Sequence, residues 1–339
     1  MSLAGAATLT FLGLFEGYAF YRCGMYAPVV LESQMRFQKF IVMKVFFSAV
    51  GSSMIAQSIM SKTNSQEFEV SRYYKNMTVG FQRNVGGCFL LGVGMAIAGS
   101  GPTLIPTQLV GVQNGWMLLA GCIGGGLVYG LLEQAMGLAP VCKSKEPLTL
   151  DEKFKKPYSS IAVPMGAALL AATLGLEVLF PQARDAADLN VGPIPTLLPI
   201  LAGCVVGINQ IPLRFLQKSG QGGSTSIMRI VSTLTLNKIS PGTAVTGLQS
   251  LYQFFYVYLG GILGAYLAMS QAGPSARQAV LFSPQRTLFG SALMIIGARI
   301  AGGCTCGHGI TGFSELSVNS IAAAMAIFAG GILTALVAL

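Results

Sequence analysis

Apolar runs about as long as a hydrocarbon layer is thick recur from one end of this chain to the other, and charged residues are confined to the gaps between them. A run of that length can satisfy its backbone in lipid only as a helix. Nine such segments are read, at 3–20, 41–60, 85–100, 113–139, 159–180, 193–208, 243–269, 286–303 and 317–339. Only 10% of the 339 residues are charged, against about a quarter in soluble proteins, whose surfaces must face water. No polar stretch is long enough to form a soluble domain. The net charge of +9 is spread over short loops rather than gathered on one face. That pattern is the signature of membrane topology and excludes nucleic acid as a partner. Met1–Phe20 has no basic leader and reads as the first span rather than a removable signal.

The seven cysteines are Cys23, Cys88, Cys122, Cys142, Cys204, Cys304 and Cys306. They are odd in number and lie mostly in apolar segments, where the thiol behaves as a small hydrophobe. No disulfide framework follows from them.

Three of the runs, 85–100, 193–208 and 286–303, are short, and each ends in a break rich in Gly, Pro, Ser or Thr. A short apolar helix followed by such a break predicts a discontinuous or re-entrant segment facing a protein-lined cavity. Two of these breaks belong to a repeat. Gln82-Arg83-Asn84 followed by Gly87, Gly94, Ala98 and Gly99 matches Gln285-Arg286-Thr287 followed by Gly290, Gly297, Ala301 and Gly302, at a constant offset of 203. The copies are segments three and eight, an odd number of spans apart, so they run in opposite directions. The chain therefore divides into a first transmembrane repeat (1–140), a charged linker loop (141–158) and a second repeat (159–339). The expected fold is an all-α integral membrane protein of about nine spans in two inverted-topology repeats with broken helices. In transporters that architecture puts the substrate site near the midplane. Loops on the N-terminal side carry thirteen Lys and Arg, Lys145 among them, and the other side carries six, including Arg277. This places the N-terminus in the cytoplasm and the C-terminus outside, with the plasma membrane as the expected bilayer.

The densest candidate site is Gly302-Gly303-Cys304-Thr305-Cys306-Gly307-His308-Gly309-Ile310-Thr311-Gly312, directly after the helix that carries Arg299. Glycines let a turning backbone aim N–H groups at an anion. Thr305 and Thr311 offer hydroxyls, Cys304 offers a thiol, and a guanidinium in apolar surroundings marks a path or a partner charge. Two other readings stay open, a close-packed turn and a metal site. Cys304, Cys306 and His308 supply three alternating ligands but no fourth. A Cys304–Cys306 disulfide would be strained. The polar loop Lys218–Ser226, with Arg229 beyond it, reads either as an anion path or as a solvated loop, and it lacks the ending of a phosphate-binding loop. Glu133 is expected near headgroups. Glu16 and Glu177 either pair with a cation or end a helix.

Ala298-Arg299-Ile300-Ala301-Gly302-Gly303-Cys304-Thr305 with Gly307-His308-Gly309 resembles the signature of the YeeE/YedE-type sulfur-transport family. Gly92–Gly99 and Gly17–Phe20 leading to Arg22 support the likeness. The resemblance implies an hourglass-shaped membrane protein that takes up thiosulfate past cysteines in broken-helix loops, with no cofactor. Cys304 matches one family cysteine, in a pathway with Arg299, Gly302, Gly303, Thr305, Cys306 and His308. A second family cysteine falls at Gly101, within Ser100-Gly101-Pro102-Thr103, and a third falls nearest Tyr26. The implied partners are the lipid bilayer, a small anionic substrate and a soluble sulfurtransferase. The alternatives are a membrane-embedded thiol or persulfide enzyme using Cys304 and Cys306, and a non-sulfur anion channel.

Overall fold

The computed structural model describes residues 3–138, 142–144, 146–189, 191, 194–272, 279–280 and 282–338. Lys145 and Arg277 lie outside them. Thirteen helices build the bundle. The first set is α1 (Leu3–Arg22), α2 (Pro28–Met35), α3 (Ile41–Thr63), α4 (Phe81–Ala98), α5 (Ile105–Gly111) and α6 (Trp116–Met136). There follow α7 (Tyr158–Leu179), α8 (Leu198–Gln217), α9 (Gly223–Leu234), α10 (Phe254–Gln271), α11 (Pro284–Ile300), α12 (Thr305–Gly312) and α13 (Val318–Val337). The only strands among the described residues are two-residue pairs between loops, so the protein is all-α.

Seven helices, α1, α3, α6, α7, α8, α10 and α13, are long and apolar enough to cross a membrane, and α11 with α12, bent by 47°, makes an eighth. The expected nine is not reached among the described residues. The run at 85–100 forms α4, whose first turn carries Gln82, Arg83 and Asn84 and so dilutes its hydropathy. The gap left between the expected spans 193–208 and 243–269 extends α8 to Gln217 and then forms α9, which buries Ile227, Met228 and Val231. α9 is amphipathic, so its apolar stripe is too sparse to stand out as an apolar run. The loops at 61–84 and 181–191 likewise hold short helices, Ser65–Ser71 and Gln182–Leu189.

α4 and α11 form the centre and run antiparallel with their backbones touching. A Cβ on Gly87 would lie 2.5 Å from Ala301 N, and one on Gly94 would lie 2.3 Å from Met294 N. From the other side, a Cβ on Gly290 would meet Ala98 N at 2.6 Å and one on Gly297 would meet Leu91 N at 2.3 Å. Small residues permit this approach, and dispersion between the bare backbones holds it. The contacts exchange under the 203-residue offset. Arg83 Nε donates to Ile300 O (3.0 Å), and Arg286 Nε donates to Ile97 O (2.7 Å). α3 packs on α8 as α10 packs on α1, α13 on α4 as α6 on α11, and α2 on α13 as α9 on α6. Antiparallel partners with exchanged contacts are the mark of an inverted repeat, with a two-fold pseudo-axis lying in the membrane plane.

α7 alone stands outside this exchange. It packs on α3 through Gly51 and Gly166, and Lys44 Nζ meets Glu177 Oε2 at 2.6 Å between them. Glu177 thus pairs with a cation.

Candidate functional site

Each central helix ends in a left-handed glycine at the same repeat position, Gly99 (φ 62°) after α4 and Gly302 (φ 77°) after α11. This conformation costs a residue with a Cβ but not glycine, and it turns the chain back into the protein. Side chains hold the carbonyls freed at the breaks. Gln108 Nε2 donates to Gly99 O (2.9 Å), and His308 Nε2 lies 3.1 Å from Ala301 O. A carbonyl only accepts, so His308 carries its proton on Nε2 and its Nδ1 accepts from Ser320 Oγ (3.1 Å). Because α4 and α11 are antiparallel, the breaks start at opposite ends of the pair. They meet inside, where Thr103 Oγ1 lies 3.0 Å from Cys306 Sγ. These two residues are 203 apart, so they occupy equivalent positions on the pseudo-axis.

A cavity lies on each side of this meeting point. The larger, about 830 Å³, is a polar vestibule whose walls include Arg229, Arg299, Gly302, Gly303, Cys304 and Gln221. The smaller, about 90 Å³, is an apolar chamber bordered by Gly101, Thr103, Thr305, Cys306 and the methionines Met25, Met35 and Met95. The pseudo-axis sets Gly101 in the chamber wall against Cys304 in the vestibule wall, and Ala96 against Arg299. Equivalent places therefore carry opposite chemistry in the two halves.

Among the described residues, Arg299 Nε and Arg229 Nε and Nη1 are buried without a hydrogen-bond partner. Two guanidiniums with unused donors in one cavity suit an oxyanion. The Arg299 guanidinium lies over the Tyr129 ring, 5.8 Å from its centroid. Tyr129 donates to Glu133 Oε1 (3.2 Å) and accepts from Arg83 Nη2 (3.3 Å). Glu133, expected near headgroups, thus lines the vestibule.

The predicted site residues are divided rather than gathered. Arg299, Gly302, Gly303 and Cys304 border the vestibule, while Gly101, Thr305 and Cys306 border the chamber. His308 has both ring nitrogens engaged, and Cys304 and Cys306 open to different cavities, so the three do not converge on a metal. Tyr26 borders neither cavity. It stacks on Tyr21 (centroids 4.5 Å apart) and fills the space beside Gly111. Sequence reading missed Tyr74, whose hydroxyl would lie 2.4 Å from a Cβ on Gly303, and the three methionines. It also overlooked the pairing of Thr103 with Cys306, although the 203-residue offset already set them opposite each other.

A buried cluster of loop residues and the end of α8 holds the vestibule wall in place. Arg72 forks onto both oxygens of Asp151 (2.9 and 2.8 Å) and donates to Glu315 O (2.8 Å). Arg214 Nη2 donates to Glu315 Oε1 (2.8 Å), and Glu315 Oε2 accepts from Tyr74 N (2.7 Å). Burial alone would raise the Asp151 carboxyl, but the bonds from Arg72 outweigh it and hold the group below the ordinary carboxylate range.

A family model described as sulphur transport matches residues 22–333. No curated protein matches the chain.

Proposed function

Given that this chain belongs to the sulphur-transport family, we propose that it takes up thiosulfate and carries it unaltered between the chamber and the vestibule, past the meeting point of the two breaks. The repeats at 1–140 and 159–339, joined by the linker at 141–158, are the two halves whose breaks meet at this point. The observation that carries the reading is the sulfur and charge around the pseudo-axis. Cys306 and three methionine thioethers line one side, and Cys304 with Arg229 and Arg299 lines the other.

A bare dianion pays heavily to leave water for an apolar wall. The terminal sulfur of thiosulfate is large and polarizable, and it gains dispersion from thioethers and a weak contact from a thiol. Sulfate offers only hard oxygens, which these groups serve badly. In the vestibule the guanidiniums then draw the charged end forward.

The vestibule is bordered by Arg83 and by Gln217 and residues 219–222, which lie on the N-terminal side that carries thirteen of the loop Lys and Arg. With the N-terminus cytoplasmic and the bilayer the plasma membrane, it opens to the cytoplasm. A soluble sulfurtransferase then receives the anion there.

The test is uptake of labelled thiosulfate, sulfite, sulfate and thiocyanate by vesicles holding the purified protein. Thiosulfate recovered unchanged and preferred over sulfate supports the reading. Uptake without preference points to a non-sulfur channel, and turnover of the label points to a thiol enzyme. Tags on the two termini should answer to protease on opposite faces of sealed vesicles, and both on one face would undo the orientation.

A further inference from the structure

Glu16 lies two-thirds of the way along the spanning helix α1 and is 5% exposed. Among the described residues no Lys or Arg pairs with it. Its neighbours are neutral hydrogen-bonding groups. Tyr256 donates its hydroxyl to Oε2, Gln221 Nε2 donates to Oε1 (2.5 Å), and Asn209 Nδ2 donates to the Tyr256 oxygen (3.3 Å). An ionisable side chain within a span that lacks a counter-charge marks an ion or proton path.

Its place between the cavities sharpens that reading. Gln221 borders the vestibule. Phe20, one turn beyond Glu16 on the same face of α1, borders the chamber. Glu16 itself lines neither cavity, but it stands between a residue that borders each, within electrostatic reach of Cys306 at the meeting point of the breaks.

The surroundings serve both protonation states. A carboxylate accepts from the Tyr256 hydroxyl and the Gln221 amide, as seen. A carboxylic acid must instead donate. Gln221 Oε1 is buried with no partner among the described residues, so half a turn of its amide presents an acceptor to that proton. Tyr256 keeps its bond from Asn209 throughout.

The ionisable groups on the packed elements are few. α10 presents Tyr256 and Tyr258, and α12 presents Cys306 and His308, whose ring nitrogens are engaged. α8 carries Cys204, which turns to Ser52, and Arg214, which is committed to Ser71 and Glu315. α5 has none. On α1 itself, Tyr18 bonds Gln271, and Arg22 stands at the helix end. On the 218–222 loop Lys218 is paired with Glu67, so among the described residues no cation is placed to hold Glu16 permanently charged.

We propose that Glu16 is a proton-binding site that loads one proton with each sulfur anion, which makes the transport proton-coupled. The carboxylate takes up a proton that enters from one cavity, and the resulting acid releases it toward the other, with Gln221 on the vestibule side of the path. This rests on the transport reading above.

The test uses protein in vesicles with a trapped pH dye, the membrane potential clamped at zero, and labelled thiosulfate. One coupled proton and a gradient of one pH unit sustain about tenfold accumulation of the anion. Wild type should reach that ratio and acidify the lumen as the anion enters. Glu16→Gln should lose accumulation and acidification together, yet still exchange labelled for unlabelled thiosulfate at equal pH, which also reports that it is folded. If Glu16→Gln does not fold, Tyr256→Phe, which removes one donor to the carboxylate, should move the pH at which wild-type uptake is half-maximal. An unmoved midpoint counts against the proposal. Net uptake by wild type without acidification, or a Glu16→Gln variant that still acidifies the lumen, overturns the proton site alone. No exchange by wild type overturns the transport reading, and the proton site with it.

Discussion

Cys304 and Cys306 stand two residues apart and face different compartments, because the backbone between them begins the π-helical turn of α12. A thiol on the path is tested by removing it. Cys304→Ala should abolish most thiosulfate uptake, while stability in detergent falls by at most about 1 kcal/mol, since a methyl leaves little void. Cys88 and Cys23 are buried in packing, and their Ala variants should transport normally. Wild-type uptake by Cys304→Ala, normalised to folded protein, would remove the thiol from the path. In the proposed path Arg299 would act by charge and by its planar fork. Losing a charge-assisted contact of ~1.5–3 kcal/mol lowers uptake at limiting substrate about tenfold or more in Arg299→Ala. Arg299→Lys should retain part of that, because it keeps the charge but not the fork. Equal loss in both variants would assign the effect to geometry alone.

At the scale of the element, the antiparallel pair α4–α11 is held by glycines whose missing side chains let the backbones meet. Gly94→Ala and Gly297→Ala each place a Cβ 2.3 Å from a backbone nitrogen of the partner, so the helices must part. Overpacking of this kind costs about 1–3 kcal/mol and should show as a lowered melting temperature in detergent. Gly124, in α6, has open space around its Cβ position. Gly124→Ala should be neutral or stabilising by about 0.5–1 kcal/mol, through helix propensity alone. A similar melting loss in all three variants would refute the close-contact account. The same pair explains why the repeat was legible. Gln82-Arg83 and Gln285-Arg286 recur because each arginine performs the same bond on the opposite helix.

Across the whole molecule, the Arg72–Asp151 pair ties the segment between α6 and α7 to the stretch beside Tyr73 and Tyr74 in the vestibule wall. The folded state holds Asp151 below its unfolded range, so the pair stabilises fully above the unfolded value of ~3.9 and its contribution is lost as pH falls through the folded one. Acid melting curves should therefore show a stability loss on that descent that is absent from Asp151→Asn. The variant itself should be weaker by about 3–5 kcal/mol near neutral pH, because it leaves Arg72 buried and uncompensated. Parallel acid profiles for the two proteins would show that the pair does not set the pH response. The inverted repeat also gives the molecule a division of labour. Both halves contribute to both cavities, yet Arg299 and Cys304 of the second half border the vestibule where their repeat equivalents in the first half are Ala96 and Gly101.

The membrane class and the antiparallel repeat were legible in the sequence because both rest on local chemistry. Lipid forces unbroken apolar runs, and two copies that make the same bond keep the same residues. The Gly302–Gly312 stretch stood out for the same reason, since a turning backbone needs glycine wherever it occurs. Tertiary structure alone decided which side of that stretch each residue faces. It separated Cys304 from Cys306, set aside Tyr26, and brought Arg229 from α9 to Arg299. It also buried Glu16 among groups from α8, α10 and the 218–222 loop. Those neighbours are distant in the chain, and only packing across the bundle joins them. α2 and α9 are further examples. Neither is an apolar run, yet both are drawn into the bundle by helices that surround them and leave them no other place to bury their apolar sides.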